Sequence, residues 1–500
     1  MRGGGECRCD HHCAAIVQRI YANSGTLHQV LFQRGFSFRV MFLIPLAACS
    51  RLTGLCVPGY VRSSEHLADA VTMLIETHPH METAVFKCRW SPADTIFLNK
   101  ALNLRVLNLK LKHQNLPLLM CAKNLQNLTV TFSFTDIADD RKGYPATLSS
   151  VLRSLPSLTF LKLRNGLWIP LSDPYPIAEW HLPSLTDLVL CSVGWPLPHF
   201  QAPDLRSLAI FGIDGVLVRG SEPGGLQHAL RHCLCLQELN LHLTDSHGDG
   251  GEMDGIYSVA PSLRRFAQGT ATLPIVPLVS SWSKLTHLAV FLPENTPALV
   301  VSFVMHQLPC IIHLALRQRM RAAERSDFPT RRGPFVHGNL CELVTDFRDD
   351  SFFEDWTCPR LTVVAIPTAT ANFWSFAVRC PVRVLHIHEI VDAIPATLGT
   401  LCSLFIDEIW SEAFKSLAAM VPATVSMLAI AHTSMPQAEC LPWMVQLINN
   451  WPALRTISLN ESTPFLLRLQ DATDKRLSRV SIVGTDDDEQ MSLFLKFLSW

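Results

Sequence analysis

Apolar residues recur along the chain in one phrase, apolar-x-x-apolar-x-apolar, often led by a proline two residues before its first position. Four stretches are near-copies of one another: LPSLTFLKL (Leu155 to Leu163), LPSLTDLVL (Leu182 to Leu190), APDLRSLAI (Ala202 to Ile210) and WPALRTISL (Trp451 to Leu459). With the first apolar position as marker, copies start at Leu52, Met81, Leu104, Leu125, Leu158, Leu185, Leu205, Leu236, Leu263, Leu285, Ile311, Leu340, Leu361, Val382, Leu401, Val425, Leu454 and Leu477. These markers stand about 25 residues apart on average, a period that fits one strand and one helix per stacked unit. An apolar triplet is cheap in a chain that is 48% hydrophobic, so the prolines carry more weight. Pro precedes the marker by two in eight copies (Pro79, Pro156, Pro183, Pro203, Pro261, Pro309, Pro359, Pro452), where 32 prolines in 500 residues predict about one by chance.

Helical patterns fall between the phrases, at Leu67 to Thr77, Thr147 to Leu155, Leu226 to Cys233, Ala298 to Gln307, Glu412 to Met420 and Pro442 to Asn449. Each unit therefore reads as a helix, a proline turn that stops it, and a short strand whose markers point inward against the neighbouring units. The expected architecture is α/β: a curved solenoid with a parallel sheet on its concave wall and helices on its convex side. The longest gaps predict loops at Thr135 to Tyr144, Gly212 to Gly225, His242 to Gly255 and Arg317 to Phe335.

These repeats resemble the leucine-rich-repeat superfamily, and their uneven lengths and LPxLxxLxL openings look like the repeat arrays of fungal F-box proteins. The resemblance covers roughly residues 50 to 485. It implies a substrate-recognition subunit of an SCF-type ubiquitin ligase, with an F-box docking the adaptor and cullin while the repeats hold a protein substrate. Nothing before Leu52 reads as a Leu-Pro start followed by two amphipathic helices and a Trp. Residues 1–48 are accordingly expected to be a helical or partly disordered segment where a degenerate F-box would stand, and 49–500 an irregular array of about 18 repeats. The Asn or Cys that many such repeats carry at the ninth position is never present; Ser133, Thr244, Thr433 and Ser462 offer hydroxyls in its place.

Charge narrows the partners. Lys and Arg number 42 against 43 Asp and Glu, so no global field gathers nucleic acid or an anionic membrane. The apolar run Val40 to Ala48 is interrupted by Pro45 and too short to span a bilayer. Cysteines scattered singly through apolar stretches (Cys121, Cys191, Cys310, Cys380, Cys402) read as small buried hydrophobes of a reducing compartment, cytoplasm or nucleus.

Side chains alternate along a strand, so the residues between markers should line the outer wall of the sheet. This places Lys110, Phe160, Lys162, Arg164, Asn240, His242, His313, Arg317, His386, His388, Phe405 and Asp407 on a candidate binding face. Lys110, Lys162 and Arg164 make its N-terminal half favourable to anions. Its central row turns small (Ala209, Ala267, Ala289, Ala315, Ala365, Ala429), so a partner backbone or a small ligand could approach closely there.

The other chemistry-bearing groups are weaker. Cys7, Cys9, His11, His12 and Cys13 are zinc-ligand types crowded into an expected unstructured tail, without the two separated pairs of a structural zinc site. His386 and His388 face one way beside Glu389 but lack an identifiable third metal ligand. Asp245, Asp249, Glu252 and Asp254 lack calcium-loop spacing, and Arg317, Arg319, Arg321, Arg325, Arg331 and Arg332 mark a solvated basic loop. No nucleophile elbow, phosphate-cradling loop or metalloprotease helix is present, so no catalytic residue, cofactor or metal is assigned. The expected function is a non-catalytic protein-binding scaffold. The other readings are a small-ligand receptor on the alanine row and a metal-dependent enzyme using His386, His388 and Asp407.

Overall fold

The protein is described from a computed structural model. It covers residues 9–31, 43–57, 65–89, 102–111, 113–132, 144–164, 178–192, 197–214, 225–244, 260–272, 275–293, 296, 299–319, 335–347, 353–354, 356–390, 399–419, 422–459, 463–472 and 480–484. The chain forms two compact units, Met1–Ser262 and Leu263–Trp500.

Each unit is built on one parallel sheet that grows by a strand per repeat. In the first unit the strands run from Gln29–Leu31 and Gly54–Val57 through Val106–Leu111 and Phe160–Arg164 to Ser207–Asp214 and Glu238–Thr244, each pairing in parallel with the next main strand. In the second they run from Arg265–Thr272 through His313–Arg319, Val384–Ile390 and Ser403–Ile409 to Ser481–Gly484. Helices alternate with the strands, and all six expected ones are present, as Glu65–Thr77, Tyr144–Arg153, Leu226–Leu230, Leu299–Gln307, Ser411–Ala419 and Gln437–Asn450. Each unit is thus an α/β repeat architecture on a parallel sheet, with one main strand per repeat.

The proline phrase has a direct structural reading. In seven of the proline-led repeats the marker N–H donates to the carbonyl three residues before it, at 3.0–3.2 Å, as from Met81 to His78, Leu158 to Leu155 and Leu454 to Trp451, and Leu52, Leu125, Leu236 and Leu285 make the same bond without the proline. In the proline-led repeats this closes a β-turn with proline at its second position, where a fixed φ is favourable and no N–H is required. The residue opening the turn is buried in every case: His78, Leu155, Leu182, Ala202, Leu308, Cys358 and Trp451. The markers and the two inner strand positions that follow form continuous buried rows such as Leu125, Leu128 and Val130, so each repeat's apolar face is completed by its neighbours.

Hydroxyls and amides tie one repeat to the next. Thr53, Thr159, Thr186, Thr286, Thr362 and Ser426, each one residue after a marker, donate a side-chain hydroxyl to a carbonyl of the preceding repeat at 3.0–3.3 Å. Asn103, Asn124 and Asn339, one residue before a marker, donate likewise at 2.7–3.0 Å. Of the ninth-position hydroxyls, Thr433 accepts from the Met435 N–H; Ser133 and Ser462 lie outside the described residues.

The structure departs from the sequence reading in several places. The sheet already includes Gln29–Leu31, inside the segment expected to precede the array, because Leu27 stands two residues before it as a marker without a proline. Cys9–Ala22 is helical, in line with the helical alternative for residues 1–48 but not with an unstructured tail around Cys9 to Cys13, and the helix buries Ile20. Four connections between main strands each carry a short strand, and these pair in parallel across neighbouring repeats: Glu179–His181 with His199–Gln201, and Phe335–Val336 with Trp356–Thr357. Pro117 falls in a stretch that forms a 3-10 helix, His113–Cys121. The last strand begins at Ser481, four residues after Leu477 rather than two. Of the five cysteines read as buried, only Cys380 is; Cys191 is half-buried, and Cys121, Cys310 and Cys402 sit exposed in turns and strand entries.

Candidate functional site

Burial alternates along most of the strands, although Glu342–Thr345 is buried at all four positions. Val106–Leu111 and Ser403–Ile409 keep Leu107, Leu109, Leu404 and Ile406 inside and leave the residues between them half-buried on the opposite face. All twelve candidate residues lie on this outer face, half-buried except for the exposed Arg164 and His388. They fall into separate clusters set by strand register.

In the first unit, Lys110 pairs in register with Thr131 and Thr131 with Arg164, while Lys162 lies beside Thr129 in the adjoining row. Phe160 stands in the first row, between Asn127 and Asp187. Further along, Asn240 is in register with Ala209, and His242 stacks on Phe211 with ring centroids 4.9 Å apart at 18°. Burial holds the His242 pKa below its ordinary value, so this ring is neutral and stacks as an aromatic.

The second unit carries two clusters of histidine. At the first outer position, His287 and His313 are stacked at 4.3 Å, and the His313 Nδ1 bonds the carboxylate of Glu342 at 2.6 Å. Burial first, then the neighbouring His313 and Arg265, pushes the His287 pKa down to about 4. On the next outer row Ala267, Ala289 and Ala315 align, as the alanine pattern predicts, and Arg317 stands 6.0 Å over the Phe291 ring. The alanine row is broken beyond this point, since Ala365 faces His386 and Phe405 faces Ala429.

The second cluster joins adjacent strands. Asp407 accepts from the His386 Nε2–H at 2.7 Å and from the His388 Nδ1–H at 3.1 Å. An ionised carboxylate only accepts, so these contacts fix both histidine tautomers. Burial pushes the Asp407 pKa up, but the bonds and charges of His386 and His388 outweigh it and hold the carboxyl below its ordinary value. The three residues weighed as a metal-dependent active site are thus brought together, each imidazole bonded to one carboxylate oxygen. Among the described residues no group of three or more His, Cys, Asp or Glu side chains is arranged to hold a metal, and no helix is long and apolar enough to cross a membrane.

His287, Glu342, Phe291 and Phe211 were not singled out in the sequence, although the same alternation places them two or six residues after Leu285, Leu340 and Leu205. The zinc-type Cys7, the acidic group Asp245 to Asp254, and Arg321, Arg325, Arg331 and Arg332 lie outside the described residues.

These histidines make acid a stress on the second unit. His287, held near 4, and His337, also lowered by burial, are neutral in the fold; His337 accepts the Leu340 N–H at Nδ1 and donates from Nε2 to the Leu308 carbonyl. A histidine with a lowered folded pKa contributes stability that is fully present above its ordinary 6.5 and is lost as pH falls toward the folded value, because the unfolded chain takes up the proton first. Thermal melts followed by circular dichroism are expected to show a falling transition temperature from pH 7 to pH 4.5. His287→Gln should flatten that dependence; an unchanged slope would assign the acid sensitivity elsewhere.

No family model matches the sequence, and no curated protein is significantly similar to it. Among solved structures the chain is similar to the crystal structure of the mouse RP105/MD-1 complex, at 15% identity, over 92% of this chain and 79% of that one, with a TM-score of 0.44.

Proposed function

We propose that the chain is a non-catalytic scaffold that binds another protein through the outer faces of its parallel sheets. The carrying observation is the one-sided burial of those sheets. Parallel sheets are normally covered on both faces, whereas here the inner rows are buried and the Lys, Arg, His, Phe and Asp candidates of the outer rows are half-buried or exposed, with buried outer residues confined to a few positions such as Glu342, Val344, Ala365 and Ser458. Such a face gains most from a partner laid across it.

Cross-linking of the full chain to its bound partner, read by mass spectrometry, tests this. Cross-links from Lys110 and Lys162 on the sheet face support the reading; cross-links confined to helix lysines such as Lys415 overturn it. A finer version, substrate recognition for an SCF-type ubiquitin ligase, is supported by the LPxLxxLxL resemblance alone. Purified complexes lacking adaptor and cullin would remove that version and leave the scaffold.

A small-ligand receptor is the second reading, favoured by the aligned Ala267, Ala289 and Ala315 between the stacked histidines and the Arg317–Phe291 pair. A thermal-shift screen in which no small molecule stabilises the chain counts against it.

A further inference from the structure

Among the described residues, three cations of the first unit have no charge partner. Lys110 and Arg164 flank Thr131 in one cross-strand row, and Lys162 lies beside Thr129 in the next. With strands about 4.8 Å apart, the two ends of the Lys110–Thr131–Arg164 row are about 10 Å apart at the backbone. Among the described residues none of the three cations makes an ion pair, although salt bridges form elsewhere, as between Arg105 and Glu82. The acidic residues of this face do not reach them: Asp187, in the first row, accepts the Thr186 hydroxyl at 2.6 Å, and Glu238 lies three strands beyond Arg164.

The row does not end at the cations. From Arg164 it passes through Cys191 to Phe211, whose ring is stacked on His242. Arg164 and Phe211 are two strand steps apart, about 10 Å, the reach of about three residues of extended chain lying across the strands. A cationic end and an apolar aromatic end therefore occupy one line.

Resting on the scaffold reading above, we propose that this row docks an extended acidic segment of the partner protein. Its carboxylates lie over Lys110, Lys162 and Arg164, and a large apolar side chain about three residues further on packs against the Phe211–His242 stack. Charge complementarity selects the acidic end and the aromatic shelf fixes the register. A nucleic acid fits less well, since three cations neutralise few phosphates and offer a small share of the usual electrostatic affinity.

Two labelled peptides, Glu-Glu-Glu-Ala-Ala-Trp and Glu-Glu-Glu-Ala-Ala-Ala, test the proposal against the full chain by fluorescence anisotropy at low salt. The tryptophan peptide is expected to bind about tenfold tighter than the alanine one. The double variant Lys110→Ala with Arg164→Ala should weaken both peptides by about tenfold. Phe211→Ala should weaken only the tryptophan peptide, bringing it to the level of the other. All three positions are partly or fully exposed, and melting curves of the variants establish that they fold.

Equal binding of both peptides, affinity unmoved by the substitutions, or tighter binding of a single-stranded oligonucleotide than of either peptide overturns the proposal. If cross-links to the partner still map to the sheet faces, the scaffold reading survives that outcome. If they map to the helices, both fall.

Discussion

Phe353→Ala is expected to destabilise the second unit by about 3–5 kcal/mol, the range for emptying a fully packed aromatic site. Phe353 is 1% exposed and sits at the centre of an aromatic cluster, with ring centroids 4.6 Å from Phe376, 5.3 Å from Phe373 and 5.9 Å from Trp356. Its partners come from the strand Trp356–Thr357 and the helix Ala371–Arg379, so its loss leaves the Trp356–Phe376 edge contact at 6.4 Å to join them. Arg379 adds backbone bonds to the Phe353 and Glu354 carbonyls, at 3.1 and 2.7 Å, which hold this connection rigid and limit collapse into the cavity. Urea unfolding followed by circular dichroism measures the effect. Val378→Ala, on the exposed side of the same helix, should change stability by less than about 0.5 kcal/mol. A loss for Phe353→Ala below about 1 kcal/mol would show that the cluster repacks.

Gln268→Leu is expected to act in the opposite direction, raising stability by about 1–3 kcal/mol. Gln268 is 2% exposed, and neither its amide nitrogen nor its amide oxygen has a hydrogen-bond partner among the described residues. It occupies the second inner position after the marker Leu263, which the next two strands fill with Val290 and Leu316. Beyond Ala267 the strand slips register against its neighbour until Thr272 meets Phe291, so the amide stands at the start of an irregular stretch. Leu is close to Gln in volume and carries no polar group to desolvate. A fall in stability in the same urea assay would show that the buried amide serves the irregular backbone rather than opposing the core.

The repeat was legible because its phrase is local. Pro156, Leu158 and Leu161 lie within one turn and strand, and their spacing states which side chains turn inward. The outward direction of His386, His388 and Asp407 followed from the same alternation. Which of them touch did not, because contact on the face depends on register between strands some 20 residues apart. Asp407 meets both histidines only because His386 pairs with Phe405 and not with a residue one step away. The short strand pairs between main strands were hidden for another reason: Trp180 and Phe200 are large and apolar in either conformation, and across the strand pair their rings pack on each other at 5.7 Å. Leu27 escaped notice because its unit lacks the proline, although Leu27, Val30 and Phe32 complete the apolar triplet.

The threonine bonds carry a consequence for how such a chain can change length. Thr159 donates to the Gln126 carbonyl, and Thr186, 27 residues later, donates to the Thr159 carbonyl. A unit with threonine at this place thus presents a donor on one side and an acceptor on the other, as the units of Thr159 and Thr186 do. Excising residues 159–185 would bring Thr186 to the place of Thr159, opposite the same carbonyl and with the same leucine spacing behind it. Gain or loss of a whole unit preserves the joint, while an insertion of any other size must be absorbed in a loop. The uneven distances between markers are then a record of loop growth laid over a joint that admits only whole steps.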